Sequence, residues 1–148
     1  MSKKILPTKH RNAQPQAEDN TKERLLAAGL EVFAKYGFEG ASTRMLATKA
    51  GVNLAAIPYY FGGKEGLYHA IVQRITDRMA VHMQPAIEWA EALLQKRRVP
   101  RQEIVELLGR MLPGPILIFT GPEAQYVGPI IAQEQQQPTS AFPILYDG

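Results

Sequence analysis

The side chains able to do chemistry in this 148-residue chain are those of a binder rather than a catalyst. Its three histidines, His10, His69 and His82, lie in an N-terminal arm or along a helix, and no HExxH or other metal-ligand spacing is present. Ser42 lacks the G-x-S-x-G elbow that exposes a nucleophilic serine. With no cysteine, disulfides, thiolate metal sites and thiol nucleophiles are excluded. Ser42 and Lys64 each stand at an expected helix start, where backbone N–H groups, a hydroxyl and an ammonium are suited to holding phosphate. Between them, Leu54, Ala55 and Ala56 are expected at the N-terminal end of a short helix, free to enter a major groove. Lacking an amide or guanidinium, they offer only apolar contact, for example to a thymine methyl, so specificity would rest on few contacts and on DNA shape.

The elements that must position these residues follow from spacing. Ser42 has the chemistry of an N-cap, Arg44 to Ala50 reads as a helix of about two turns, Gly51 ends it, and Asn53 caps a second helix from Leu54 to Phe61. In the first helix Leu46, Ala47 and Ala50 make an apolar face, opposite one carrying Arg44, Thr48 and Lys49. Val52 and Ile57 supply the wedge between the helices, and the small Ala47 and Ala50 allow close approach. This is a helix-turn-helix. Pro58 removes one N–H within its second helix and is expected to tilt or tighten that turn. Tyr59 and Tyr60 are consecutive, so one is expected buried and the other exposed.

The run LATKAGVNLAAIPYYFGGKEGLY, with RLLAAGLEVFAKYGFEGAST before it, resembles the DNA-binding domain of TetR-family transcriptional regulators over roughly residues 21–83. The ordered set Phe33, Gly37, Ser42, Leu46-Ala47, Ala50-Gly51-Val52, Tyr60-Phe61 and Lys64-Glu65 carries the likeness. The IPYYFGGKEGLY wording, with Gln133-Glu134-Gln135, Pro138 and Ala141-Phe142, is similar to the CecR-like branch. The resemblance implies an all-α fold: an N-terminal three-helix homeodomain-like helix-turn-helix domain, then a partial helical ligand-binding and dimerisation domain. It implies that Arg44, Tyr59 and Tyr60 reach the DNA backbone or bases, with Tyr59 on phosphate and Tyr60 mainly packing, and that Thr48 and Lys49 are further candidates. With Ser42, Asn53, Leu54, Ala55, Ala56 and Lys64, these make up the expected DNA-binding set. The implied partners are a double-stranded DNA operator, a small-molecule effector and a second copy of the chain; no cofactor is implied, and the expected location is the cytoplasm.

Charge agrees with a polyanionic partner. Residues 1–83 hold 12 Lys or Arg against 7 Asp or Glu, a balance of +5, whereas residues 84–148 hold 5 against 7, a balance of −2. Each phosphate neutralised by the basic half would release counterions and add sequence-independent affinity. A hydrophobic content of 45% is enough for a packed core. The longest apolar run, Ile116 to Phe119, is far too short to span a membrane, and Met1 to Ala17 lacks the apolar centre of a signal peptide.

Along the chain, residues 1–20 read as a disordered basic arm, either a free tail or one whose cations touch phosphate or a minor groove. Asn20 with Glu23 resembles a capping box opening a helix from Thr21 to Tyr36, closed by Gly37. A long helix is expected from Lys64 to Met83, with Leu67, Ile71, Ile75 and Met79 inward, and Pro85 is expected to begin the next, ending in the cationic Lys96-Arg97-Arg98. Arg101 to Leu112 reads as amphipathic, LPGPILIFTGP as too broken for one helix, and Ala124 to Gln136 as helical with a bend at Pro129. Residues 21–83 and 84–148 thus form the expected DNA-binding and regulatory parts. The sequence ends at Gly148, where the resemblance implies a further helix, so a shortened regulator with Ile144, Leu145 and Tyr146 in water, monomeric or weakly associating, is expected. The alternative is a shortened helical ligand-binding or protein-interaction module with only weak nonspecific DNA binding.

Overall fold

The computed structural model describes residues 13–113, 116 and 120–146. Its helices are α1 (Ala13–Gly40), α2 (Thr43–Ala50), α3 (Ala56–Phe61), α4 (Lys64–Leu94), α5 (Arg101–Met111), α6 (Ala124–Gln136) and α7 (Phe142–Tyr146), and among the described residues there are no strands. The fold is all-α.

The core forms where the apolar faces of α1, α2, α3, α4 and α6 converge. Leu25, Phe33, Leu46, Ile57, Leu67, Val72 and Ile130 are each fully buried there. The predicted stripe of α4 is realised in Leu67, Ile71 and Ile75, with Met79 half-buried at its edge. Tyr68 joins it, its ring 4.8 Å from that of Phe33 and 5.1 Å from that of Phe38. These rings pack edge-on or tilted, as aromatic quadrupoles prefer.

Several boundaries differ from the sequence reading. Helix α1 begins at Ala13, so Asn20 lies inside it and caps nothing; Ala, Gln and Glu favour a helix there, and Pro15 falls in the first turn, where its missing N–H would be unpaired anyway. The remainder of the expected arm, residues 1–12, lies outside the described residues. The turn at Gly37 is as expected, with φ 70° breaking the helical run before Gly40.

Pro85 does not start a new helix. It sits within the single helix α4, where its ring leaves the carbonyl of Val81 without a donor; Val81 is 72% exposed, so water can serve that carbonyl. Lys96 helps to close the end of α4 with its backbone N–H, which donates to the Leu93 carbonyl at 3.0 Å, while its ammonium pairs with Glu103 of α5. Pro129 is likewise accommodated within α6. Within the LPGPILIFTGP segment, residues 114, 115 and 117–119 lie outside the described residues.

Helix α5 is amphipathic but buries none of its residues, and Ile104, Val105 and Leu108 are exposed. Arg110 of α5 stacks 4.6 Å from the ring of Trp89 on α4. At the other end, Ile144 and Leu145 are not left in water. Both are half-buried against the core in α7, and the hydroxyl of Thr76 donates to the Ile144 carbonyl at 3.3 Å. Tyr146 remains 48% exposed, as expected.

The junction between α3 and α4 is closely packed. A Cβ added at Gly66 would lie 1.8 Å from the Phe61 carbonyl oxygen, so the first turn of α4 sits directly on the last residue of α3. Gly66→Ala is therefore expected to lower stability by about 2 kcal/mol, the cost of overpacking a rigid contact. Urea unfolding of the two proteins checks this; a loss below about 0.5 kcal/mol, within the ordinary scatter of surface changes, would show that the two helices are not locked together here.

Candidate nucleic-acid interface

The helix-turn-helix is built by local bonds that its sequence supplies. Ser42 has extended backbone, φ −102° and ψ 151°, and its hydroxyl oxygen accepts from the Met45 N–H at 3.2 Å, a working N-cap for α2. Gly51 ends α2 in the left-handed region at φ 63°, where a side chain would be strained. The Val52 N–H reaches back to the Ala47 carbonyl at 3.0 Å and closes the turn. Arg24 of α1 adds a tertiary lock, donating from Nη2 to the Gly51 carbonyl at 2.8 Å.

Contrary to expectation, Asn53 does not cap α3: the N-cap position is Ala55, which makes no side-chain bond, and Asn53 instead closes the turn before the helix. Its Oδ1 accepts from the Ala55 N–H at 2.9 Å, and Ala56 N–H to Asn53 O (3.0 Å) and Ile57 N–H to Leu54 O (3.3 Å) are one-turn bonds of the tighter kind. Leu54 and Ala55 therefore lie in the turn leading into α3, which begins at Ala56. Pro58 falls in the first turn of α3, where its missing N–H has no consequence, and its carbonyl accepts from Gly62 at 3.0 Å.

Ile57 is 0% exposed, which turns the preceding residues outward: Asn53, Leu54 and Ala55 are exposed, with Ala56 half-buried. Tyr59 is 73% exposed and Tyr60 half-buried, the division expected of consecutive positions. Their rings meet edge to face at 4.7 Å, and the Lys22 ammonium lies 5.6 Å from the Tyr60 ring. Arg24, Asn53, Ala55, Ala56, Tyr59 and Tyr60 border one shallow depression between α1 and the start of α3.

The α2 candidates gather elsewhere. Ser42, Arg44, Thr48 and Lys49 line a second depression, together with Glu31, Lys35 and Tyr36 of α1. Arg44 is exposed and has no partner among the described residues, so its guanidinium is available to an anion. Lys49 is paired instead, 2.7 Å from Glu31; this hydrogen bond, with the Glu31 charge, raises its pKa.

Lys64 departs furthest from expectation. Its ammonium is turned inward, donating to the carbonyls of Phe38 at 2.9 Å and Ala41 at 3.2 Å, and stands 4.4 Å from the Phe38 ring. These carbonyls close the end of α1, where a cation is favoured, so Lys64 clamps the α1–α2 connection rather than offering a free charge to phosphate. Sequence reasoning missed Arg24 and Lys22, because nothing in the α1 pattern says which exposed positions overlook the α2–α3 turn.

Residues 25–71 match the model of a family described as "Bacterial regulatory proteins, tetR family". The HTH-type transcriptional dual regulator CecR of Shigella flexneri is 37% identical over 129 residues, which cover 87% of this chain and 57% of CecR. The chain belongs to the TetR family. Within that family it is also similar to the HTH-type transcriptional regulator RutR of Escherichia coli strain K12, 39% identical over 56 residues, 38% of this chain and 26% of RutR. A crystal structure of a protein described as a TetR-family transcriptional regulator from Mesorhizobium loti shares the fold, with a TM-score of 0.56 at 17% identity, covering 88% of this chain and 60% of that one. The chain spans a little over half the length of CecR. These relatives are regulators, not enzymes, and among the described residues no helix is long and apolar enough to cross a membrane.

The inward turn of Lys64 yields a test. Lys64→Ala loses two charge-assisted bonds and is expected to lower stability by about 1–3 kcal/mol, leaving the salt dependence of DNA binding unchanged. Thermal unfolding and titrations at several salt concentrations measure both, and a salt slope reduced by about 1 would return Lys64 to the phosphate contacts.

Proposed function

We propose that this chain is a sequence-specific DNA-binding transcriptional regulator, a repressor whose operator is double-stranded DNA and which a small-molecule effector releases. The observation that carries the reading is the outward presentation of Asn53, Leu54, Ala55 and Tyr59 from a turn and helix locked by buried Ile57 and by Arg24 on Gly51. A rigid element of this size, bearing exposed side chains at its N-terminal end, suits a major groove. Arg44, and the backbone N–H groups behind Ser42, suit the flanking phosphates; Thr48 and Lys49 stand beside them.

The reading assigns residues 21–83 to DNA and residues 84–148 to regulation. Leu54, 47% exposed, and Ala55 would meet bases through apolar contact, leaving much of the specificity to DNA shape. Two copies on the DNA are part of the proposal, in place of the monomeric or weakly associating chain expected from the sequence, because an operator of two half-sites about one helical turn apart is matched by a two-fold protein. A hollow of about 240 Å³ between α4 and the start of α6, lined by Ile75, His82, Val127 and the Arg78–Glu123 ion pair, draws on both parts of the chain and supports an effector bound there. An effector favouring a geometry with misplaced reading helices would lower operator affinity by population shift.

Selection from a randomised duplex pool at two salt concentrations, with the mass of the complex determined, tests the proposal. A palindromic motif bound by two copies is expected; weak, salt-sensitive binding without a motif would defeat it. Arg44→Ala should weaken binding to all sequences and reduce the salt slope by about 1. Leu54→Gln should instead change the selected motif, enriching adenine at one position of each half-site through an amide that reads its N6 and N7. An unaltered motif would remove Leu54 from the base-reading set.

A further inference from the structure

One carboxylate lies inside the core rather than on the surface. Glu134 of α6 is 1% exposed. A buried charge persists only where donors surround it, and Glu134 has three. The Tyr68 hydroxyl donates to Oε1 at 2.7 Å, the Thr139 hydroxyl to the same oxygen at 2.9 Å, and the Thr139 N–H to Oε2 at 3.0 Å. Thr139 belongs to the loop between α6 and α7, whereas Tyr68 belongs to α4. The carboxylate thus fastens the loop that follows its own helix to the first turns of α4.

Ser140 continues the attachment on the outside. Its hydroxyl donates to Glu65 Oε1 at 2.5 Å and so uses its single hydrogen. The 2.8 Å contact with His69 Nε2 therefore requires the proton to be on that ring nitrogen. Glu65, Tyr68 and His69 are successive grips on the same stretch of α4.

That stretch positions the DNA-reading helix. Gly66 sits against the Phe61 carbonyl at the end of α3, and Lys64 clamps the carbonyls of Phe38 and Ala41 just before Ser42. The Tyr68 ring, fixed at its hydroxyl by Glu134, packs against Phe33 and Phe38. An apolar side chain at 134 would leave the Tyr68 hydroxyl and the Thr139 N–H without this acceptor, so the carboxylate ties α4 and the loop after α6 together at one point.

We infer that Glu134, Tyr68 and Thr139 form a positioning junction for DNA reading: they hold the start of α4, and through it the angle at which α3 presents Asn53, Leu54 and Ala55. The inference deepens the DNA-binding proposal and rests on it for its biological meaning, but one arm of its test does not.

In the full chain, Tyr68→Phe removes one hydroxyl and keeps the ring, and Glu134→Gln keeps the size of the side chain and removes the charge. Backbone hydrogen exchange is the first readout. With helicity unchanged by circular dichroism, Tyr68→Phe is expected to speed exchange about tenfold or more across residues 43–66, as well as around 134–141. Changes confined to 134–141 and the turn of α4 around residue 68 would overturn the inference. The second readout compares a duplex selected by the wild-type protein with an unrelated duplex of the same length. Tyr68→Phe is expected to weaken the selected duplex about tenfold and leave the unrelated one unchanged, since nonspecific affinity depends on phosphate contacts alone. Equal losses on both would contradict a positioning role. If the wild-type protein selects no duplex, the proposed function fails while the exchange readout still decides the junction. Glu134→Gln should reproduce the Tyr68→Phe pattern, and should it fail to fold, Tyr68→Phe decides alone.

Discussion

A helix of six residues cannot hold its own conformation in water, because nucleating it costs more than its few hydrogen bonds return. Helix α3 is such an element, running from Ala56 to Phe61, and the rest of the structure can be understood as what keeps it in place. Burial of Ile57 supplies about 1.5–3 kcal/mol of that hold. The remainder is geometric: Arg24 on the Gly51 carbonyl fixes the turn before α3, and the contact of Gly66 with the Phe61 carbonyl fixes the helix after it. Lys64 then binds the start of α4 to the end of α1, so the supporting helices are themselves tied together.

This arrangement gives the cations around the helix-turn-helix different tasks. Arg24 and Lys64 make hydrogen bonds to backbone carbonyls and shape the domain, and Lys49 is neutralised by Glu31. Arg44 keeps an exposed charge. A sequence count of positive charge therefore overstates what is available to phosphate, although the field of the domain as a whole remains attractive to a polyanion.

What was legible in the sequence was local. Ser42 as an N-cap, Gly51 as a left-handed stop, and the opposite exposure of Tyr59 and Tyr60 each follow from bonds or spacings within a few residues. The family resemblance extended that reading to an all-α fold and a DNA partner. What was not legible depended on distant parts of the chain. Side-chain charge gave Lys64 a chemistry but not the direction of its ammonium, which is set by carbonyls 23 and 26 residues earlier. Ile144 and Leu145 read as exposed because the surface they cover belongs to other helices, and Pro85 read as a helix start because its tolerance depends on an exposed carbonyl. Glu134 read, with Gln133 and Gln135, only as a mark of the family branch, although it is the buried centre of the link between α6 and α4.

The central claim is that the turn and first residues of α3 are the surface that meets DNA. Amide and methyl resonances followed by NMR during titration with a duplex test it most directly. The account predicts that the largest perturbations fall on Ser42 to Arg44 and on Asn53 to Tyr59, with the exposed face of α5 unaffected. Perturbations centred on Ile104, Val105 and Leu108, or none at residues 53–59, would contradict it.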